Sequence, residues 1–224
     1  MKVALYLSLL LVTVTTHIVL AQSSGQSPSQ SPGQAPSQLE MVAKSAAAAV
    51  PLKVGIQAPD ASVKTLDDSA TQLSKVLAGK PTVLIFYRGG WCPFCNAHLA
   101  ALGQIEDKIE AKGYQIVAVT PDTPAELHKT LDKHHLKYTL LSDSTAEAMK
   151  RFGVAYRLDD GTFTLYKDKY GIDLERSSGK THHILPVPSV FLINREGKIT
   201  FVHSDPDYKV RMKSDAILEA IDRS

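Results

Sequence analysis

The chain has 224 residues, 44% of them hydrophobic and 21% charged, so it holds enough apolar material for a folded core. Lys and Arg number 25 against 23 Asp and Glu, a net charge of +2, and that near-balance argues against a nucleic-acid or polybasic membrane binder. Two cysteines exclude a disulfide-dense scaffold and a zinc site built from four cysteines.

Met1-Lys2 is a short positive start, and Val3 to Leu20 is uncharged and mostly apolar. Val19 and Ala21 are small residues at the positions that precede a cleavage point. This pattern predicts a secretory signal peptide, residues 1–21, cleaved after Ala21. The other reading is an uncleaved anchor, but Thr13, Thr15, Thr16 and His17 interrupt an apolar run barely long enough to span a bilayer. No cysteine stands at the junction for lipid attachment. The expected protein is therefore exported, periplasmic or secreted, with no stable membrane association after cleavage. Gln22 to Gln38 holds five Gln, six Ser, three Pro and two Gly among 17 residues, so it reads as a disordered linker with almost nothing apolar to bury. Residues 39–224 then form one domain. Its first segment, Leu39 to Val50, is Ala-rich and reads as a short helix ending at Pro51.

Thr82 to Tyr87, Gln115 to Thr120 and Ser189 to Ile193 are continuous apolar runs of strand length, rich in β-branched residues. Runs apolar on both faces predict central strands covered by helices on each side. Tyr138 to Leu141 is a weaker strand. Lys198 to Val202 follows Ser189 to Ile193 across Asn194-Arg195-Glu196-Gly197 as a hairpin. Pro93 to Lys112 predicts one long helix, with Leu99, Leu102, Ile105 and Ile109 at helical spacing and a stop at Gly113. Thr123-Pro124-Ala125-Glu126 and Ser144-Thr145-Ala146-Glu147 read as capping boxes of two further helices. Ser214 to Ile221 closes the chain as a helix. The alternation predicts an α/β layer architecture with right-handed crossovers and four or five strands in one sheet. Leu158 to His183 is polar, carries three Gly and reads as an insertion.

Trp91-Cys92-Pro93-Phe94-Cys95 directly follows the best strand and opens the longest helix. With Pro93 as the first helical residue, Cys92 is the N-cap. A thiolate there accepts backbone N–H groups and faces the positive end of the helix dipole, and the thiolate is the reactive form. Free Cys titrates near about 8.5, and C-x-x-C sites at helix starts fall to about 3.5–7.5. The two sulfurs, one turn apart, can form a disulfide. A purely structural bridge would close too short a loop to stabilise much. Half of a zinc site, with His98, His182 or His183, lacks the H-x-x-x-H or second C-x-x-C that would complete it. The strand–C-x-x-C–helix order favours redox chemistry, with no metal and no cofactor. No phosphate loop, Ser-His-Asp arrangement or catalytic carboxylate pair is visible.

The string Arg88-Gly89-Gly90-Trp91-Cys92-Pro93-Phe94-Cys95 resembles thioredoxin-fold proteins, specifically the peroxiredoxin-like branch of the alkyl hydroperoxide reductase/thiol-specific antioxidant family. Val54-Gly55-x-x-Ala58-Pro59-Asp60, the block Leu185 to Ile193, Glu196-Gly197-Lys198-Ile199 and Asp205-Pro206-Asp207-Tyr208 extend the resemblance over roughly Lys53 to Ile221. It implies a thioredoxin fold: a mixed central sheet flanked by helices, here with an N-terminal extension and one insertion. The chain departs from that family's P-x-x-x-T-x-x-C motif, placing Arg88 at the Pro, Cys92 at the Thr and Cys95 at the peroxidatic Cys. Pro188 replaces a second Arg that helps polarise the peroxide, and Val187-Pro188 stands where thioredoxins carry a cis-proline facing the C-x-x-C.

The resemblance implies a thiol-dependent peroxidase. It would reduce hydrogen peroxide or organic hydroperoxides through a Cys92/Cys95 disulfide and be recycled by a thioredoxin-like donor. The local centre also fits a thioredoxin-type protein disulfide oxidoreductase, and a non-catalytic module with a structural disulfide is the third reading. Cys92, as the N-cap and nearer to solvent, is expected to attack first. Arg88 would lower the thiol pKa or else sit solvated at a strand end. Trp91 is expected to pack as a lid beside the disulfide. His134, His135, His182 and His183 read as surface or loop residues, and Tyr208 and Arg211 as local packing.

Overall fold

A computed structural model describes residues 42–224. The predicted leader, the linker and the start of the Ala-rich segment lie outside the described residues. Inside them that segment forms only a single 3-10 turn, Ala46–Ala48.

The elements run β1 (Ser62–Lys64), β2 (Ala70–Gln72), α1 (Leu73–Leu77), β3 (Thr82–Phe86), α2 (Pro93–Gly103), α3 (Glu106–Ala111), β4 (Gln115–Thr120), α4 (Pro124–His134), β5 (Thr139–Ser142) and α5 (Glu147–Arg151). They continue with β6 (Ala155–Arg157), α6 (Asp160–Tyr170), α7 (Leu174–Ser178), β7 (Ile184–Pro186), β8 (Ser189–Ile193), β9 (Ile199–Ser204) and α8 (Ser214–Asp222). A seven-stranded mixed sheet has the order β2-β1-β5-β4-β3-β8-β9. β3, β4 and β5 are parallel, and β8 and β9 complete one side antiparallel. The three strong apolar runs thus occupy interior strands, as expected. The sheet is larger than the four or five strands predicted, because three-residue β1 and β2 are too short to show a period.

Alternation along β3 divides the core. Val83 and Ile85 face Leu99, Leu102, Ile109 and Ile217 of the α2, α3 and α8 side. Leu84 and Phe86 face Leu73, Met149 and Phe152 on the other. Each such fully buried side chain contributes about 1.5–3 kcal/mol, so β3 alone commits the chain to helices on both faces.

Three local expectations need correction. The single helix from Pro93 to Lys112 is two helices, broken at Gln104 and Ile105 just beyond Gly103, a residue that costs a helix interior about 1 kcal/mol relative to Ala. The break still leaves Ile105 and Ile109 in the core. Neither capping box forms. The Thr123 N–H that Glu126 would take donates instead to the Ser177 carbonyl at 2.8 Å, and Glu126 pairs with Lys129. At α5 the cap is Asp143, whose carboxylate accepts from the Ala148 and Met149 N–H groups at 3.1 and 2.8 Å; Ser144 takes no part.

The polar insertion is ordered. β6 and β7 pair as a separate two-stranded sheet, and α6 and α7 lie between them. Asp159 caps α6 by accepting from Thr162 N–H at 2.8 Å, and Asp173 caps α7. Tyr156, Leu158, Tyr166, Leu174, Leu185 and Val187 form its own small core, with Trp91 packed against it.

A candidate thiol redox centre

β3 delivers the chain to the carboxyl end of the parallel strands, where α2 begins. Pro93 is the first helical residue and Cys92 the N-cap, as the sequence predicts. Cys92 Sγ accepts from the Cys95 N–H at 3.4 Å. Both cysteines are free thiols, each only 1% exposed, so Cys92 is not the more accessible of the two. Their environments still push them apart. The Cys95 thiol donating to Cys92 brings the Cys92 thiol down to about 6 against the opposing effect of burial, with help from the Cys95 N–H, Arg88 and Arg211. Burial first, then the neighbouring Cys92 thiolate, pushes Cys95 well up. The pair therefore holds one thiolate and one thiol near neutral pH.

Arg88 is not a solvated strand-end residue. It is 2% exposed, and its Nη2 donates to the Tyr166 hydroxyl at 2.6 Å. Its guanidinium lies 5.0 Å from the Trp91 ring centroid, 5.4 Å from Tyr166 and 4.1 Å from Tyr208. Trp91 packs edge-on to Tyr166 at 6.0 Å and against the core cluster that holds both cysteines. Gly89 has φ +152°, and a side chain there would collide with the Trp91 indole. Pro188 is buried beside β8; the Val187–Pro188 bond is trans, since no cis peptide occurs among the described residues. Its carbonyl accepts from the Asp205 N–H at 3.5 Å, at the start of the segment that carries Tyr208 and Arg211.

Sequence reasoning missed three contributors. Arg211, expected only to pack locally, donates from Nη2 to Cys95 Sγ at 3.4 Å. Asp122 is buried two residues beyond β4; its Oδ2 accepts from the Gly90 N–H at 2.6 Å, and the Gly90 carbonyl accepts from Asn96 Nδ2 at 2.8 Å. The loop before Cys92 is thereby held from both sides. Burial pushes the Asp122 carboxyl up to about 7. Tyr166 comes from the insertion. A signal that finds the neighbourhood is unmet hydrogen bonding: Tyr87 Oη, Arg88 Nε, Asn96 Oδ1, His98 Nε2 and Asp122 Oδ1 are buried without partners. Beside them, Gly90, Trp91, Asp122, Lys129 and Arg176 line a cavity of about 230 Å³.

His135 is exposed at the end of α4, and His182 and His183 lie half-buried in the loop before β7, as the surface or loop reading expects, but both loop rings are held by specific contacts. His182 Nδ1 accepts from the Ile184 N–H and Nε2 donates to the Ser144 carbonyl, both at 2.9 Å. His183 pairs with Glu175 and stacks on Phe163. His98 is buried, its ring pushed down to about 4 by that burial and then by Arg211 and His203. Among the described residues no group of three or more His, Cys, Asp or Glu is arranged to hold a metal ion.

A mixed sheet with a C-x-x-C at the N-terminus of the helix after a central parallel strand defines a thiol redox protein of the thioredoxin superfamily. The AhpC/TSA family matches residues 54–202, and the chain belongs to that family as a peroxiredoxin-like member. It is 28% identical over 169 residues to peroxiredoxin Bcp of Escherichia coli, covering 75% of this chain and 94% of that one. It is 30% identical over 104 residues to a putative peroxiredoxin bcp of Haemophilus influenzae, covering 46% of this chain and 66% of that one. Among solved structures it resembles a reduced peroxiredoxin of Vibrio vulnificus in complex with hydrogen peroxide (TM-score 0.62, 18% identity, 76% of this chain and 99% of that one). Peroxidoxin BcpB of Mycobacterium tuberculosis gives a TM-score of 0.59 at 19% identity, over 77% and 97% of the two chains. These two likenesses establish the fold.

Proposed function

We propose that the chain is an exported thiol-dependent peroxidase in which Cys92 attacks and Cys95 resolves. The observation that carries the assignment is the asymmetry of the pair: Cys92 at the N-cap accepts the Cys95 N–H, while Cys95 sits inside the helix with its thiol pushed up by burial. The Cys92 thiolate attacks one oxygen of the peroxide. The S–O bond forms, the O–O bond breaks, and the departing oxygen takes a proton and leaves as water or an alcohol. Cys95 then attacks the Cys92 sulfenic acid, forming the disulfide and releasing water. An external dithiol of the thioredoxin type exchanges with that disulfide and returns both thiols. Arg88 favours the thiolate and offers an N–H donor to peroxide oxygen.

Single Cys→Ser variants given one equivalent of hydrogen peroxide and a sulfenic-acid trap test the roles. Cys95→Ser should trap at Cys92, and Cys92→Ser should not react. Rapid trapping at Cys95 in Cys92→Ser would reverse the roles. The same N-cap geometry supports a second reading, exchange with protein disulfides. Insulin-disulfide reduction beside peroxide consumption separates the two. Peroxide turnover no faster than that of free dithiothreitol would remove the first.

Export is inferred from the leader: a positive start, an apolar run and small residues before Gln22. It would place the centre where disulfides persist and make an exported thioredoxin-like donor its partner. Fractionation with N-terminal sequencing tests this. A mature start at Gln22 is expected, and a cytosolic protein with Met1 intact overturns it.

A further inference from the structure

The geometry points to Tyr166 as a positioning residue that the insertion supplies to the redox centre, fixing the Arg88 guanidinium against Cys92. The inference rests on the peroxidase reading and adds to it. Arg88 is a buried cation without a carboxylate: among the described residues no ion pair includes it. A buried charge left so is costly unless other groups hold it. Three aromatic rings and one hydrogen bond do so here. Trp91 and Tyr208 offer ring faces, whereas the Tyr166 hydroxyl is also an acceptor, 2.6 Å from Nη2.

That acceptor is rigidly mounted. α6 is capped by Asp159 at its start and by Gly171, at φ +65°, at its end. Leu158, Leu174, Leu185 and Val187 pack beneath it. The Thr123–Ser177 bond ties α7 to the start of α4, and His182 ties the same segment to the Ser144 carbonyl. With Nη2 engaged by Tyr166, Arg88 Nε remains a buried donor without a partner among the described residues. A fixed guanidinium keeps its charge at a constant distance from the Cys92 sulfur; a loose one would average that effect away.

The test is iodoacetamide alkylation of the full chain across pH, with the labelled cysteine identified by mass spectrometry, in wild type, Tyr166→Phe, Arg88→Lys and the double variant. Tyr166→Phe keeps the ring and removes the acceptor. Its Cys92 midpoint should rise by roughly half to one pH unit and kcat/KM for hydrogen peroxide should fall about tenfold. The double variant should be no worse than Arg88→Lys alone, because Tyr166 acts through Arg88. Tyr166→His retains a ring and an acceptor nitrogen and should recover part of the loss. It also carries the test if Tyr166→Phe does not fold. A Tyr166→Phe profile superimposed on wild type, additive effects in the double variant, or equal loss in the Phe and His variants overturns the inference. Alkylation needs no peroxide, so failure here is separate from failure of the peroxidase reading, which would show in wild-type turnover.

Discussion

Two aspartates follow neighbouring parallel strands, Asp122 after β4 and Asp143 after β5. Each is 1% exposed, and burial pushes each up to about 7. They differ in what their oxygens meet. Both oxygens of Asp143 accept N–H groups at the start of α5. Asp122 accepts the Gly90 N–H with Oδ2, faces the Trp91 indole N–H and the Cys92 sulfur, and leaves Oδ1 without a partner. A raised pKa and deep burial therefore do not separate a structural carboxyl from one at a reactive centre. Hydrogen-bond satisfaction and proximity to the C-x-x-C loop do.

The largest expected effect is on the structural side. Asp143→Ala leaves buried N–H groups of α5 unpaired and should cost about 3 kcal/mol. Thermal melts should show a fall of roughly 10 °C. The Cys92 alkylation profile should stay in place; a shift there would break the contrast.

Asp122→Asn should do the reverse. The amide oxygen still accepts from Gly90, so near pH 4, where the wild-type carboxyl is uncharged in the folded chain, stability should change by no more than about 1 kcal/mol. With its carboxyl raised to about 7, Asp122 is mostly protonated where Cys92 titrates at about 6, so removing its charge should lower the Cys92 midpoint by only about 0.2 pH unit. An unchanged or higher midpoint would make Asp122 a structural group like Asp143.

Stability against pH sharpens the same contrast. A carboxyl at about 7 in the folded chain, against 3.8 ordinarily, binds more protons folded than unfolded across that interval. Its contribution is fully present below 3.8 and lost as pH rises through about 7. His98, pushed down to about 4 from 6.5, works in the opposite sense over that range, so raw curves mix the two. Comparing variants isolates the carboxyl. Between pH 4 and pH 7, urea midpoints of Asp122→Asn should fall less than those of wild type.

The smallest effect belongs to Ser144→Ala. The sequence pattern made Ser144 a cap, but Asp143 does that work and no Ser144 side-chain bond caps α5. The change should lie within about 0.5 kcal/mol by denaturant titration. A loss above about 1 kcal/mol would restore the capping box.

The interior strands and the N-cap cysteine with its C-x-x-C neighbour are legible in the sequence alone. Each is written in residues adjacent along the chain: unbroken β-branched runs at Thr82, Gln115 and Ser189, and Cys-Pro at a strand-to-helix junction. Local dihedral preference and hydrophobic period suffice to express them. What surrounds the two cysteines is set by long-range packing. Arg211 reaches Cys95 across 116 positions and Tyr166 reaches Arg88 across 78, from segments whose own patterns carry no sign of those contacts. The failed capping box at Thr123 has the same cause, since its N–H is claimed by Ser177 from the insertion. Side chains and N–H groups with several possible partners are assigned by packing, because a buried polar atom must be satisfied by whatever the folded chain brings beside it.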